Sequence, residues 1–272
     1  MSTLRTLGGA AGAAAVVGGL VLVATPAAAA DTAMVSVLHG IPATPVDVYA
    51  NGERLIDDFQ PGTLTDPLEL PAGSYDLALF PADAADGSGT PLLSANGVAV
   101  PAGANATVVA HLTEDGSPVL TPFVNDTSAV PAGQARVTVR HTAAAPAVDV
   151  RAGGTPVVEG LTNPDEATLT VPAGTISADV VLAGTDTVAI GPADLTLAEG
   201  ASTIVYAWGN GDAGYQLAVQ TISGMHSTPS GVPGGSAGLV DDDSSLPVVA
   251  ALSVAGLAVA GAGALRLART RG

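Results

Sequence analysis

The sequence predicts an all-β protein: two tandem immunoglobulin-like antiparallel β-sandwich domains between an N-terminal signal peptide and one C-terminal transmembrane helix. Three observations carry this. First, the stretch Val35-Ser36-Val37-Leu38-His39-Gly40 through Asp47-Val48-Tyr49-Ala50-Asn51-Gly52 returns without gaps as Val137 to Gly154. His39 then falls on His141, Asp47 on Asp149 and Gly52 on Gly154. Second, short Val-, Thr- and Leu-rich runs are broken by Pro-Ala-Gly, Asn-Gly and Asp-Gly every 8–12 residues or so, as strands joined by turns require. Third, residues alternate: in Ala135 to Arg140 the arginines and Thr138 face one way and the valines the other.

Taken in order, the first repeat (31–126) reads as strands near 34–39, 46–50, 66–70, 74–80, 92–100, 105–112 and 118–124. Thr113 to Ser117 forms its last hairpin turn, with Asp115-Gly116 suited to positive φ. The second repeat (134–222) matches with strands near 135–141, 147–151, 166–171, 175–182, 188–197, 202–208 and 215–222. Seven short strands in a repeat of this size suit a two-sheet sandwich. With only eight aromatic residues in the chain, Val, Leu, Ile and Ala must fill the cores. Tyr75, Phe80, Tyr206 and Trp208 are the aromatic core candidates, because they sit in the most apolar strands. The join from Asp126 to Gln134 is short and contains Pro131, so freedom between the domains is limited.

The ends are topogenic. Residues 1–30 carry Arg5, an apolar run from Leu7 to Val23 and a small-residue site at Ala27 to Ala30, the order of a secretory signal peptide. Residues 223–245 read as a flexible Gly/Ser/Pro/Asp linker spanning roughly 25–30 Å. Leu246 to Leu265 is apolar and long enough to cross the ~30 Å hydrocarbon layer. Residues 246–268 are assigned to the transmembrane helix and 269–272 to a cytoplasmic tail. Asp241 to Asp243 precede the span, and Arg266, Arg269 and Arg271 close it, placing residues 31–245 outside the cell. The expected location is therefore a single-pass cell membrane protein. Leu246-Pro247 resembles the start of a sortase signal, but the Thr and Gly of that signal are missing.

Composition limits the chemistry. The chain has no Cys, hence neither disulfides nor thiolate metal sites, and no Lys. All 25 acidic residues lie between Asp31 and Asp243, opposed there by Arg54, Arg136, Arg140 and Arg151, a net of −21. Such a field repels nucleic acid and anionic lipid. High Ala, Gly and Val without Lys is the composition of a GC-rich, actinobacterial-type genome.

The opening His39…Pro45-Val46-Asp47-Val48-Tyr49, the Asn51-Gly52 turn and Leu70-Pro71-Ala72-Gly73-Ser74-Tyr75 resemble the Domain of Unknown Function 4397 family over residues 34–222. The second copy departs from the pattern, with Arg151 in place of Tyr49 and Ile176 in place of Tyr75. The resemblance implies an extracellular β-rich fold, often in tandem copies. It brings no activity or catalytic residues.

The recurring His39/Asp47 and His141/Asp149 pairs could form the base half of a hydrolase. No Cys and no Ser in a nucleophile elbow accompanies them. The favoured role for these four residues is to bond backbone groups and fix the turn between the first two strands of each repeat. Asp83 to Gly89 lacks the spacing and closing Glu of a Ca²⁺ loop and reads as a solvated acidic loop. Tyr206, Trp208 and Tyr215 flank the last turn of repeat two. If exposed, they would be contact candidates for a sugar or peptide. The sequence-level expectation is a non-enzymatic surface binding or structural module with no cofactor, no metal and no catalytic residue. Its partners would be the membrane through 246–268 and an extracellular glycan or protein, with no nucleic acid. The rival is an envelope-polymer hydrolase built on the His–Asp pairs.

Overall fold

In the computed structural model, residues 32–84 and 86–227 are described. The stretches expected to be a signal peptide (1–30), a membrane span (246–268) and a cytoplasmic tail (269–272), and residues 228–245 of the expected linker, lie outside them. Among the described residues no helix is long and apolar enough to cross a membrane.

Each repeat forms eight strands, one more than the turn spacing suggested. The first repeat holds β1 (Thr32–His39), β2 (Val46–Ala50), β3 (Glu53–Phe59), β4 (Leu68–Pro71), β5 (Gly73–Pro81), β6 (Leu93–Val100), β7 (Asn105–Leu112) and β8 (Pro118–Val124). The second holds β9 (Gln134–Ala144), β10 (Val148–Ala152), β11 (Thr155–Leu161), β12 (Glu166–Pro172), β13 (Gly174–Leu182), β14 (Val188–Leu197), β15 (Ser202–Asn210) and β16 (Gly214–Ile222). The additional strands are β3 and β11. Each follows a two-residue turn, Asn51-Gly52 or Gly153-Gly154, whose residues all have positive φ. Both pair with a register shift against β2 or β10, so simple alternation is lost there.

Every repeat is a sandwich of two four-stranded sheets: β4-β1-β7-β8 on β3-β2-β5-β6, and β12-β9-β15-β16 on β11-β10-β13-β14. The sheets are not wholly antiparallel, because β1 pairs with β7, and β9 with β15, in parallel. This corrects the antiparallel expectation. A parallel pair needs a long crossover, and here the chain travels through the opposite sheet between the two strands.

The valines of alternation fill each sandwich. Val37, Val46, Val48, Phe59, Leu79 and Ala110 form part of the first core. Val137, Val139, Val148, Val150, Val180 and Leu197 form the second. The other face of the inner sheets is buried as well. Leu38, Val109 and Phe123 of repeat one make a single apolar cluster with Ile204, Tyr206, Trp208 and Ala218 of repeat two. The described residues therefore stack as four β layers, with the sheets containing β1 and β9 inside. Burial on both faces explains why β7 and β15 are almost continuously buried.

The join and the first linker residues belong to this body. Val130 is buried and pairs with His226. Its N–H donates to the Met225 carbonyl at 2.7 Å, and Ser227 N–H donates back to the Val130 carbonyl. Arg136 donates to the carbonyls of Asp126 and Ser128 and pairs with the Asp126 carboxylate. Met225, His226 and Ser227, which fall in the expected linker, therefore contact the join and strand ends beside it.

Candidate functional site

The two histidines hold matching positions. His39 Nε2 donates to the Thr44 carbonyl at 2.7 Å, and its Nδ1 faces the Ile41 N–H. His141 Nε2 donates to the Pro146 carbonyl at 2.9 Å, and its Nδ1 faces the Ala143 N–H. Each ring spans the turn after its own strand and is neutral, with the proton on Nε2. Burial is the leading cause that pushes both below the usual histidine value.

The aspartates bond elsewhere. Asp47, fully buried, accepts from the Asp58 N–H at 2.9 Å and faces Arg54 Nη1 at 3.4 Å. Asp149 accepts from the N–H groups of Gly160 and Gly184 at 2.7 and 2.9 Å, which hold its carboxyl below the usual range. The paired residues are close in sequence, yet each serves a different stretch of main chain: the histidine the β1–β2 or β9–β10 turn, the aspartate the irregular end of β3 or β11 and, for Asp149, the β13–β14 turn as well.

Asp47, Asp57 and Asp58 place three carboxylates within 4.8 Å of one another. Arg54 bridges two of them, at 3.4 Å to Asp47 and 2.8 Å to Asp57. The sequence alone does not suggest this group, because β3, which assembles it, lacks a regular alternation and pairs with a register shift. Partial desolvation, then the carboxylates of Asp57, Asp83 and Asp47, raise the Asp58 carboxyl. In the acidic loop, the Asp86 carboxylate accepts from the backbone and hydroxyl of Ser88.

Tyr206 and Trp208 are not exposed contacts. Tyr206 has 0% and Trp208 4% of its surface free, and both lie in the seam between the repeats. Trp208 is seated on glycines of repeat one. A Cβ on Gly62, whose φ is +79°, would fall 2.7 Å from Trp208 Cζ2, and one on Gly40 would fall 3.3 Å from Trp208 Cβ. Tyr215 is half-buried, and its hydroxyl donates to the Ala144 carbonyl at 3.3 Å. Tyr206 and Trp208 pack the repeats together, and Tyr215 bonds within repeat two, so the three rings form no open aromatic platform.

A polar chain runs through the same seam. Arg140, 1% exposed, donates from Nε to Glu166 at 2.7 Å and from Nη1 to the Tyr206 hydroxyl at 2.8 Å. Its guanidinium lies 4.4 Å from the centre of the Phe123 ring. Tyr206 donates to Gln220 Oε1 at 2.7 Å, as does Thr107 at 2.9 Å. Gln220 Nε2 donates to Ser36 Oγ at 3.2 Å. Asn125 Nδ2 joins Thr107 Oγ1 to Asn105 Oδ1. Strand alternation puts these polar side chains opposite the valines, but only the packing of one repeat on the other buries them. A cue was present in β9, where Arg136, Thr138 and Arg140 occupy the second face of a strand whose first face runs Ala135, Val137, Val139.

The chain of bonds ends at a groove of about 510 Å³. Ser36, Leu64 to Pro67 and Asn105 line it from repeat one, and Val219 to Ser223 line it from repeat two. The cavities inside the sandwiches are mainly apolar and small, about 30 Å³ in the first and 60 Å³ in the second.

Residues 33–151 match the family model described as "Domain of unknown function (DUF4397)", so the match covers the first repeat and runs into β10 of the second. No curated protein matches. Among solved structures, a crystal structure described as "a putative cell adhesion protein from Bacteroides uniformis ATCC 8492" is similar at 10% identity and a TM-score of 0.18, covering 71% of this chain and 96% of that one.

Proposed function

We propose that the protein is a non-enzymatic extracellular binding module in which two tandem copies of one domain are fused into a single rigid body. A C-terminal span at 246–268 would hold that body near the membrane with residues 31–245 outside. The observation that carries this reading is the fate of the recurring His–Asp pairs. All four side chains spend their hydrogen bonds on the main chain around them, apart from the Asp47–Arg54 contact. That use supports a scaffold in which these residues specify loops. The seam supports binding, since it fixes loops from both repeats in one frame. The acidic field of the ectodomain favours neutral or cationic partners over anionic ones.

The test is display of residues 31–245 on glycan and peptide arrays, with release of the full chain from cells as a second measurement. A specific ligand is expected, together with a C-terminally tagged chain that detergent releases intact. Absence of any ligand across broad panels would count against the binding role. Recovery of only untagged protein after wall digestion would count against the anchor.

A further inference from the structure

We infer that the groove between the repeats is the ligand site and that it takes a neutral oligosaccharide. This rests on the binding-module reading above and names the place and the chemistry. Its volume of about 510 Å³ falls within the roughly 300–1,000 Å³ of small-ligand sites, whereas the sandwich cavities hold little more than a water or two. It is built from both repeats, so neither repeat makes it alone.

The lining selects the ligand class. It contains Asp66 and no cation, so a phosphate, sulfate or uronate would meet repulsion and find no counter-charge. The remaining polar side chains are neutral amides and hydroxyls, from Ser36, Thr65, Asn105, Gln220, Thr221 and Ser223. Two of them are fixed before any ligand arrives. Gln220 is 7% exposed and Ser36 2%, and the Tyr206 and Thr107 hydroxyls set the amide's orientation by both donating to its oxygen. That orientation leaves Gln220 Nε2 with one N–H on Ser36 Oγ and a second unspent among the described residues. Asn105 likewise accepts at Oδ1 and has its Nδ2 protons unspent there. Oriented amide donors, a carboxylate acceptor and apolar surface from Leu64 and Val219 match the mixed hydroxyl and C–H faces of an uncharged sugar. A bound sugar also regains, through these unspent donors, the hydrogen bonds it gives up to water.

The experiment uses the full chain in detergent micelles and titration calorimetry. Its probes are neutral tri- to hexasaccharides, uronic-acid oligosaccharides of the same lengths, and uncharged peptides. A neutral saccharide is expected to bind. Asp66→Ala and Asn105→Ala should each weaken it about tenfold or more, while Asp212→Ala in the exposed β15–β16 turn leaves it unchanged. Asp66 is exposed, so its loss should leave the melting temperature unmoved, and that measurement separates lost contacts from lost folding. A saccharide bound equally well by the Asp66 and Asn105 variants would overturn the groove as its site and leave the binding reading standing. Binding of peptides or uronates that these substitutions abolish would overturn the ligand class alone. No binding of any probe would overturn the inference and weigh against the broader reading too.

Discussion

The two inner sheets and the two outer sheets are made by the same repeated sequence and yet live in different environments. In the outer strand β13, burial declines toward the end near Gly174, and several residues are half-buried or exposed. In β15 every residue from Ser202 to Gly209 is buried. The same contrast separates two arginines. Arg140 on β9 is sealed between sheets, with Tyr206 and Phe123 against it. Arg151 on β10 grips Asp179 on the outer sheet, with the two side chains 16% and 12% exposed and Asp186 fully in solvent beside them. Duplication alone accounts for the sandwiches; the residues that differ between the copies at the seam account for their fusion. Trp208 stands on β15 where β7 carries His111, and both are buried in the assembled body.

The sharpest way to break this comparison is Trp208→Ala. Removing a buried indole seated on Gly40 and Gly62 should cost about 3–5 kcal/mol. Urea unfolding of the parent should be one transition, because the seam couples the repeats. In the variant it should move to lower urea and split into two. A loss below about 1 kcal/mol would mean that the seam contributes little and that the repeats are independent domains.

Arg140→Ala comes next. It removes the stem and guanidinium from a closed site and takes a donor from Tyr206, so about 2–4 kcal/mol is expected. Glu166 is 40% exposed at its side chain and can turn to water, which keeps the effect below that of a stranded buried charge. Thermal unfolding of Arg140→Ala beside Tyr206→Phe would show whether the two losses overlap, as they must if one hydrogen bond links them.

Much of this architecture was legible in the sequence. The gapless return of His39, Asp47 and Gly52 at His141, Asp149 and Gly154 located both repeats, and the turn signals placed seven strands in each. The strands that escaped, β3 and β11, have their alternation interrupted. Asp58 has φ +49° and Gly160 +66°, and in each strand charged or small residues interrupt the apolar run. The parallel β1–β7 pairing joins residues some seventy positions apart, and no local pattern encodes it. The groove escaped for the same reason. Ser36 and Gln220 meet across 184 positions, and each alone reads as an ordinary polar residue on a strand.

Acid should act on the interior through three histidines. His39, His111 and His141 all sit below the ordinary histidine value of 6.5, and in each case burial is the largest cause. His111 donates from Nδ1 to the Leu112 carbonyl and accepts at Nε2 from Thr121, so its neutral ring is fully used. The unfolded chain binds protons more readily at these sites than the folded one. Stability is therefore complete above about pH 6.5 and is lost as pH falls from there toward the lower folded values. The urea midpoint should be level from pH 8 to 7 and drop by pH 5.5. A midpoint unchanged down to pH 5 would contradict neutral, buried rings at all three positions.

The smallest effect expected is that of Arg151→Ala on the outer sheet, and it completes the contrast with Arg140. Arg151 makes the better ion pair by geometry, with Nε and Nη2 at 2.9 and 2.6 Å from the two oxygens of Asp179. Arg140 meets Glu166 through Nε alone. If ion-pair geometry decided stability, Arg151 would be the more costly residue to lose. Environment should decide instead. The outer pair is only partly open, at 16% and 12% exposure, but unlike Arg140 it is not sealed between sheets, so water can reach Asp179 once its partner is gone and the loss should cost about 1–2 kcal/mol. The Asp179 carboxyl, now held below its usual range first by its hydrogen bond to Arg151, should return toward it, which carboxyl NMR can follow. Raising salt to 1 M should reduce the Arg151→Ala penalty and leave most of the Arg140→Ala penalty in place, since the latter comes from a filled cavity and a buried hydroxyl. Equal penalties for the two arginines, or equal salt dependence, would show that the seam gives Arg140 no special standing.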